Sequence, residues 1–375
     1  MAGIYLHIPF CRHKCAYCDF FSSVSLSNKS EYLIALQQEI RLQSNYFEGE
    51  SISSIYFGGG TPSLLEPHEI HQLLNYIFEE FSVIDFPEIT MEANPEDINY
   101  DWICGIRETQ VNRISLGVQS FDSSVLQHIG RKHTAEKSFN SIQLLLDEGY
   151  NNITADLIYG IPGQTDDILK KDINTLIEFN IPHISAYALT VEEKTLLHRQ
   201  IKQGKLSPPD ENQMADQFYL IKDSLAQMGY EHYEISNYCL PSHQAKHNVS
   251  YWTGEKYLGL GASAHSYDGK IRKWNVSSIK EYIQSLQKGK ILCESEEISP
   301  IMRHNEYILT HLRTKWGVKL AELEKMFGGQ ALLSLMENAK TPLSEGLLLI
   351  KNEAIVLSRE GMLLADRLSS GLFME

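Results

Sequence analysis

The sequence predicts an α/β fold in three parts: an incomplete (β/α)6 barrel over residues 1–230, a small α+β extension over 231–300, and a C-terminal winged-helix-like domain over 301–375. Three observations predict it. Short β-rich apolar runs alternate six times with stretches of helical periodicity, the pattern of a parallel sheet with helical crossovers. Polar or glycine-rich punctuation recurs where those runs end. After about residue 301 the order changes to three helices, a strand, a turn, a strand and a last helix. Six units rather than eight leave the barrel open on one side, wide enough for a large substrate.

Residues 3–8 alternate and read as the first strand, delivering a loop with three cysteines. Ser27 or Asn28 caps a helix over about 29–44, with Tyr32, Leu33, Leu36 and Ile40 at helical spacing. A second strand, Ser51–Phe57, ends in Gly58-Gly59-Gly60-Thr61-Pro62 and feeds a helix over about 67–81. Glu88–Glu92 is a strand ending in Asn94-Pro95, followed by a helix near 99–108. Arg113–Val118 runs into Gln119-Ser120-Phe121, and a helix near 135–148 follows. Ile153–Ile158 ends in Tyr159-Gly160-Ile161-Pro162-Gly163, then come a helix over about 166–179 and the strand His183–Leu189. Pro208-Pro209 interrupts the pattern before a last helix over about 211–228. Near the C-terminus Leu347–Ile350, a turn at Lys351-Asn-Glu353, Ile355–Leu357 and a helix from Arg359 complete the winged-helix order.

Ligand sites of parallel α/β sheets lie at the C-terminal ends of the strands. The cysteine loop, the glycine run, Glu92, Gln119 and Asp156 all sit at such ends, so they are expected to converge on one mouth. Glycines there let backbone approach a ligand closely. Glu92 suits an amino group or a ribose, and Gln119, Arg131 and Asp156 suit a carboxylate, a ribose or a second ligand.

The formal net charge of −15 argues against nucleic acid or an anionic membrane as the main partner. The C-terminal stretch from Ile301 carries nine Lys/Arg and nine Asp/Glu, which gives a winged helix no phosphate-tracking surface. There is no run of roughly twenty apolar residues and no charged n-region with an apolar h-region at the start, so a cytoplasmic protein is expected.

Cys11, Cys15 and Cys18 stand four and three residues apart, while Cys104, Cys239 and Cys293 are scattered. Three thiols cannot pair off as disulfides, but close thiolates ligate a soft metal or an iron–sulfur cluster. A cubane takes four ligands, and position 20, where a further cysteine could stand, is Phe20. One iron would keep an open site. A structural zinc site completed by His7 or His13 is the alternative.

The CxxxCxxC spacing resembles the radical S-adenosylmethionine (SAM) superfamily. That resemblance implies a radical SAM barrel, a [4Fe–4S] cluster on Cys11, Cys15 and Cys18, and SAM whose amino and carboxylate groups take the open iron. One electron then yields a 5′-deoxyadenosyl radical. Over nearly its full length the chain resembles the oxygen-independent coproporphyrinogen III oxidase-like (HemN/HemW) family. Tyr5-Leu-His-Ile-Pro-Phe-Cys11, Phe57-Gly-Gly-Gly-Thr-Pro62, Glu92-Ala-Asn-Pro95, Gly117-Val-Gln-Ser-Phe121, Gly130-Arg131, Asp156-Leu-Ile-Tyr-Gly-Ile-Pro-Gly163 and Ala186-Tyr-Ala-Leu-Thr190 carry it. By resemblance Tyr5, Gly59, Gly60, Thr61 and Glu92 contact cluster-bound SAM, and Gln119, Arg131 and Asp156 surround a second SAM.

Phe20 and the absence of sequence before the first strand resemble the heme-chaperone branch, as does His247-Asn-Val-Ser-Tyr251-Trp252, which matches its HNxxYW heme-binding signature. A histidine nitrogen can ligate heme iron, and Tyr251 and Trp252 offer flat faces to a macrocycle. His243 and Cys239 are nearby alternatives as ligand. The expected function is a heme chaperone carrying the cluster and SAM. The expected partners are heme, heme-accepting proteins with membrane-bound respiratory enzymes among them, an electron donor and, by default, a second copy of the chain. A coproporphyrinogen III dehydrogenase is the rival, and a SAM-dependent RNA modifier a third reading that the charge disfavours.

Overall fold

The computed structural model describes residues 2–374. Six parallel strands lie side by side in chain order: β1 (Ala2–Ile8), β2 (Ile52–Gly59), β3 (Val83–Ala93), β4 (Arg113–Gln119), β5 (Ile153–Tyr159) and β6 (His183–Ala188). The connecting segments carry helices α1 (Lys29–Leu42), α2 (Pro67–Glu80), α3 (Tyr100–Arg107), α4 (Ser123–His128), α5 (Ala135–Asp147) and α6 (Asp166–Glu178). Then come α7 (Leu196–Lys202) and α8 (Glu211–Gln227).

Strand period sorts the side chains. Ile4, Leu6 and Ile8 of β1, Ile55 and Phe57 of β2, and Ile114 and Leu116 of β4 are fully buried in the apolar core with Leu36 and Ile40 of α1 and Leu73 and Ile77 of α2. The opposite face is polar: Tyr5, His7, Ser54, Tyr56, Glu88, Glu92, Arg113, Ser115, Thr154 and Asp156. Hydrophobic burial drives the first face together, and the second is left to bind. Thr134, Thr165 and Asp210 accept hydrogen bonds from the backbone at the starts of α5, α6 and α8. The expected cap of α1 is absent, since the Asn28 side chain makes no capping hydrogen bond.

Residues 231–297 differ from the expected extension laid against the barrel, because they supply both edges of the same sheet. On one edge β7 (Glu231–Glu234) and β8 (Asn237–Cys239) add antiparallel beside β6. On the other, β9 (Tyr257–Leu260) pairs parallel with β1, and β10 (His265–Tyr267), β11 (Ile271–Asn275) and β12 (Cys293–Glu297) continue outward. Between the two edges, α9 (Lys246–Trp252) packs against β1 and β2. A buried carboxylate fastens this region. Glu39 of α1 accepts from the Tyr282 hydroxyl (2.6 Å), Asn275 Nδ2 (2.7 Å) and the Gly261 amide (2.8 Å), so three segments more than 220 residues away are tied to one side chain. Tyr282 sits on α10 (Ile279–Leu286).

The C-terminal part has its own core of Ile308, Leu312, Val318, Leu323, Leu335, Leu348 and Ile355. It contains α11 (Pro300–Leu312), β13 (Val318–Lys319), α12 (Leu320–Phe327), α13 (Gly329–Ser344), the hairpin β14 (Leu348–Lys351) and β15 (Ala354–Leu357), and α14 (Ala365–Gly371). Asn352 and Glu353 both take positive φ (48° and 60°), the requirement of a two-residue type I′ turn. The last helix starts at Ala365, later than the expected Arg359, because Gly361–Leu364 forms a tighter turn first. No helix among the described residues is long and apolar enough to cross a membrane.

Candidate functional site

The polar face of the sheet encloses a cavity of about 650 Å³, lined from β2 through β6 and roofed by the cysteine loop. Its mouth is the C-terminal edge of the strands. Cys11, Cys15 and Cys18 all line it, with Gly59, Gly60, Thr61, Glu92, Gln119, Arg131 and Asp156. Of the residues expected at the mouth, Tyr5 and Gly58 are absent from the cavity wall.

Backbone hydrogen bonds hold the cysteine loop: Cys11 N–H to the Ser23 carbonyl (2.9 Å), Ala16 N–H to the Ile129 carbonyl (3.1 Å) and Gly60 N–H to the Ile8 carbonyl (2.9 Å). Gly60 must be glycine, since a Cβ there would lie 2.7 Å from the Phe10 carbonyl oxygen and 2.8 Å from that of Ile8. Burial pushes the Cys15 and Cys18 thiols up, Arg131 partly offsetting this for Cys15, and Cys11 beside each adds a further upward push. The three sulfurs therefore share one neighbourhood. His7 cannot complete a zinc site, because Nε2 bonds the Phe21 carbonyl (2.9 Å) and Nδ1 the Tyr5 hydroxyl (3.1 Å). Among the described residues no three His, Cys, Asp or Glu side chains gather around a single-ion position. A cubane spreads its thiolates over separate irons and asks only that they face one space, which these three do. Phe20, 69% exposed, lines the same mouth where a further cysteine would have stood.

Below the loop lie two carboxyls. Glu92 accepts from the Tyr56 hydroxyl (2.9 Å) and the Gly59 amide (3.0 Å), and Gly59 can aim that amide because its φ is 110°. Burial raises Glu92 to about 7 against the pull of those donors, and Asp156 raises it further. Asp156 is raised to about 6 by burial, offset by the Ser185 and Ser115 hydroxyls. Two carboxyls holding protons near neutrality in a polar cavity suit a cationic ligand, whose charge would let them ionise. Arg131 donates to Asn94 Oδ1 (2.7 Å), while its Nε is buried without a partner. Gln119 stands at φ 68°, an uncommon conformation for a non-glycine residue at a strand end. Sequence reasoning missed Tyr56, Asn94, Ser115 and Ser185. For Asn94 and Ser115 the signal was period-two alternation with Glu92 and Gly117; Tyr56 and Ser185 lie on β2 and β6 and are brought in by strand pairing with the neighbouring strands.

The other end of the cavity is closed by α9. Asn248 and Ala245 line its floor. His247 is only 1% exposed. Its Nδ1 bonds Ser54 Oγ (2.9 Å), its Nε2 bonds the Tyr251 hydroxyl (3.0 Å), and its amide donates to Glu88 (3.0 Å). The ring stacks on Tyr56 and Tyr5, which explains why Tyr5 faces this column and not the mouth. Burial lowers His247 to about 3, so it is neutral. The expectation that His247 offers its imidazole to heme iron thus meets a physical obstacle: both ring nitrogens are engaged inside the protein. Trp252 is half-buried beneath the Arg313 guanidinium (5.3 Å), which also pairs with Glu234 and Asp366.

An α/β sheet whose strand ends bring three cysteines and two raised carboxyls to one mouth defines the class. Residues 5–176 match the radical SAM superfamily. The overall architecture is similar to that of coproporphyrinogen III oxidase (HemN) from Escherichia coli, a radical SAM enzyme, with a TM-score of 0.86 over 100% of this chain and 90% of that one, at 23% identity. The chain is 39% identical to the heme chaperone HemW of Lactococcus lactis over 86% of its own length and 84% of that protein's. It is 34% identical to HemW of Mycobacterium tuberculosis (97% and 93% covered) and to that of Bacillus subtilis (98% and 97%). The chain belongs to the HemW family of radical SAM proteins.

Proposed function

We propose that the protein is a heme chaperone that carries a [4Fe–4S] cluster and SAM in its mouth and passes heme to acceptor proteins. The observation that carries the first half is the convergence of Cys11, Cys15 and Cys18 with Gly59, Gly60, Thr61 and Glu92 on one cavity. The relatives named heme chaperones support the second half. On this reading residues 1–230 are the incomplete radical SAM barrel, 231–300 the segment bearing the heme signature, and 301–375 a winged-helix-like cover.

When bound, the cluster and SAM supply one-electron chemistry. The chain's own groups set the conditions. Cys11, Cys15 and Cys18 would hold the cluster, and Phe20, which lines the same cavity, supplies no fourth thiolate. Gly60 lets the loop approach. Glu92 takes the amino group or ribose of SAM, with Thr61 beside it, and Tyr5 acts indirectly, through the Tyr56 ring it stacks on. Gln119, Arg131 and Asp156 line the same cavity and offer polar groups to a second ligand. Heme belongs to the floor, beside the helix carrying His247, Tyr251 and Trp252. The acceptors are heme proteins, the electron donor is a separate protein, and the working compartment is the cytoplasm.

The test uses anaerobically reconstituted full-length protein. It should hold about four irons per chain, bind added heme, and release it to an apo-cytochrome. Incubated with coproporphyrinogen III, SAM and a reductant, it should form no protoporphyrinogen. Stoichiometric zinc in place of iron, or vigorous porphyrinogen turnover, would each overturn the proposal.

A further inference from the structure

The cysteine loop is fastened to the rest of the mouth through one short segment. Residues 11–18 form neither helix nor strand. Holding three sulfurs in place there means ordering irregular backbone, at a cost in conformational entropy that other contacts must offset. Two arches span the loop, one from Cys11 to Cys15 and one from Cys15 to Cys18. Each sends a side chain toward the same place, the residues Asn94–Asp97 that follow β3.

In the first arch Arg12 Nε donates to Asp97 Oδ1 (2.9 Å). Arg12 is more than half exposed, whereas the Asp97 side chain is 2% exposed. The other Asp97 oxygen accepts from Ser63 Oγ (2.8 Å). Both carboxylate oxygens are used, as a buried charge requires. In the second arch the Tyr17 ring lies near the Arg131 guanidinium, 5.9 Å from its carbon to the ring centroid. Arg131 in turn donates to Asn94 Oδ1 (2.7 Å). A guanidinium only donates, so the Asn94 amide must face it with its oxygen. That turns the Asn94 nitrogen the other way, to Thr61 Oγ1 (3.2 Å), while the Asn94 backbone N–H meets Ser63 Oγ (3.4 Å). One segment thus holds both cysteine arches on one side and the residues after the glycine run on the other.

The segment is itself held from behind. The Pro95 ring fixes its own φ, and the Asp97 amide donates to the Asn94 carbonyl (3.0 Å). From α5, Ser141 Oγ donates to the Pro95 carbonyl (2.9 Å) and Lys137 Nζ to the Ile98 carbonyl (2.6 Å). Its position is therefore set by a helix of the barrel and not by the cysteine loop it restrains.

We infer that Asp97 and Asn94 are positioning residues for the mouth. Asp97, through Arg12, sets where the first arch puts Cys11 and Cys15. Asn94, through Arg131 and Thr61, fixes the second arch against the strand end that would hold SAM. The spacing of the sulfurs and their placement over Thr61 are then one mechanical property, set by four residues that include no cysteine.

This inference rests on the cluster reading of the mouth, and the rate at which the reconstituted full-length protein loses iron to a chelator separates the two. Arg12→Ala and Asp97→Asn should each speed that loss about tenfold or more, the scale reached when groups that orient metal ligands are removed. The double variant should lose iron no faster than the faster single one, because both changes break the same contact. Arg12 is exposed enough for Arg12→Ala to fold even if Asp97→Asn does not. Arg107→Ala, which breaks an exposed ion pair with Glu148 (2.7 Å) away from the cavity wall, should match wild type. Asn94→Ala should also raise several-fold the SAM concentration that alters the electron paramagnetic resonance spectrum of the dithionite-reduced protein, a readout that a loss of stability leaves unmoved. If wild type holds iron and Arg12→Ala loses it at the wild-type rate, or the Arg12 and Asp97 effects multiply, the inference fails while the cluster reading stands. If wild type holds no iron, both fail.

Discussion

The two ends of the sheet cavity use the same kinds of residues to opposite ends. At the mouth, side chains are brought together and left with capacity: three thiols face one space, Arg131 Nε has no partner, and Glu92 and Asp156 are raised to about 7 and 6. At the floor, His247 is wholly spent on Ser54, Tyr251, and the Tyr56 and Tyr5 rings. Polar groups inside a protein are costly unless paired. Unpaired groups at the mouth would be stabilised by a bound ligand, whereas His247 at the floor has both ring nitrogens used inside the protein, although Trp252 Nε1 on the same helix has no partner among the described residues.

The sharpest way to break this contrast is to delete one group from each end. Cys15→Ser should remove nearly all reconstituted iron and leave the thermal melt of the cluster-free protein within a few degrees of wild type, as for a substitution of a partly exposed group. Iron and sulfide assays with calorimetry read this out. If the apo protein unfolds instead, the mouth is structural too. Gly60→Ala reaches the same cluster indirectly. Its Cβ would press on the Phe10 and Ile8 carbonyls, which cannot yield as a flexible side chain could. It should cost about 1–3 kcal/mol and leave the protein only partly loaded with iron.

His247→Ala should do the reverse of Cys15→Ser. It leaves a buried cavity and strands Ser54 and Tyr251, for a loss of about 2–4 kcal/mol by urea denaturation. Iron loading of the protein that remains folded should be unchanged. A variant with wild-type stability would show that the floor is not the strut described here.

The mouth was legible in the sequence because its residues sit at strand ends, where glycine runs and isolated polar residues punctuate apolar stretches. Six strands, their order and most of the mouth follow from that pattern. What was hidden shares a cause. The His247–Ser54 contact joins positions 193 apart, and no local period encodes such a meeting. The burial of His247 was therefore invisible, and an HNxxYW stretch read as an open heme face. Tyr5 shares its face with His7 by alternation, but which neighbour takes its hydroxyl is a matter of packing. The strand expected over Glu88–Glu92 in fact begins at Val83 and bulges. The strands β7–β12 run three to five residues each, too short for periodicity to register.

The smallest effect tests why the mouth tolerates its carboxyls. Glu92 ionises near 7 in the fold and near 4.3 when unfolded. Between those values the folded chain keeps a proton that the unfolded chain has released. The stability linked to Glu92 is therefore full below about pH 4 and is lost as pH climbs through about 7. Glu92→Gln removes this dependence but preserves shape, and Asp156, which acts in the same direction, is present in both proteins. From pH 5 to 8 the cluster-free wild type should lose on the order of 1–3 kcal/mol more than Glu92→Gln. Saturating SAM should shrink that gap, because a bound cation favours the ionised carboxylate. Parallel pH profiles for the two proteins would mean that the Tyr56 hydroxyl and Gly59 amide already hold Glu92 charged, and Glu92 would then be as fully engaged as His247.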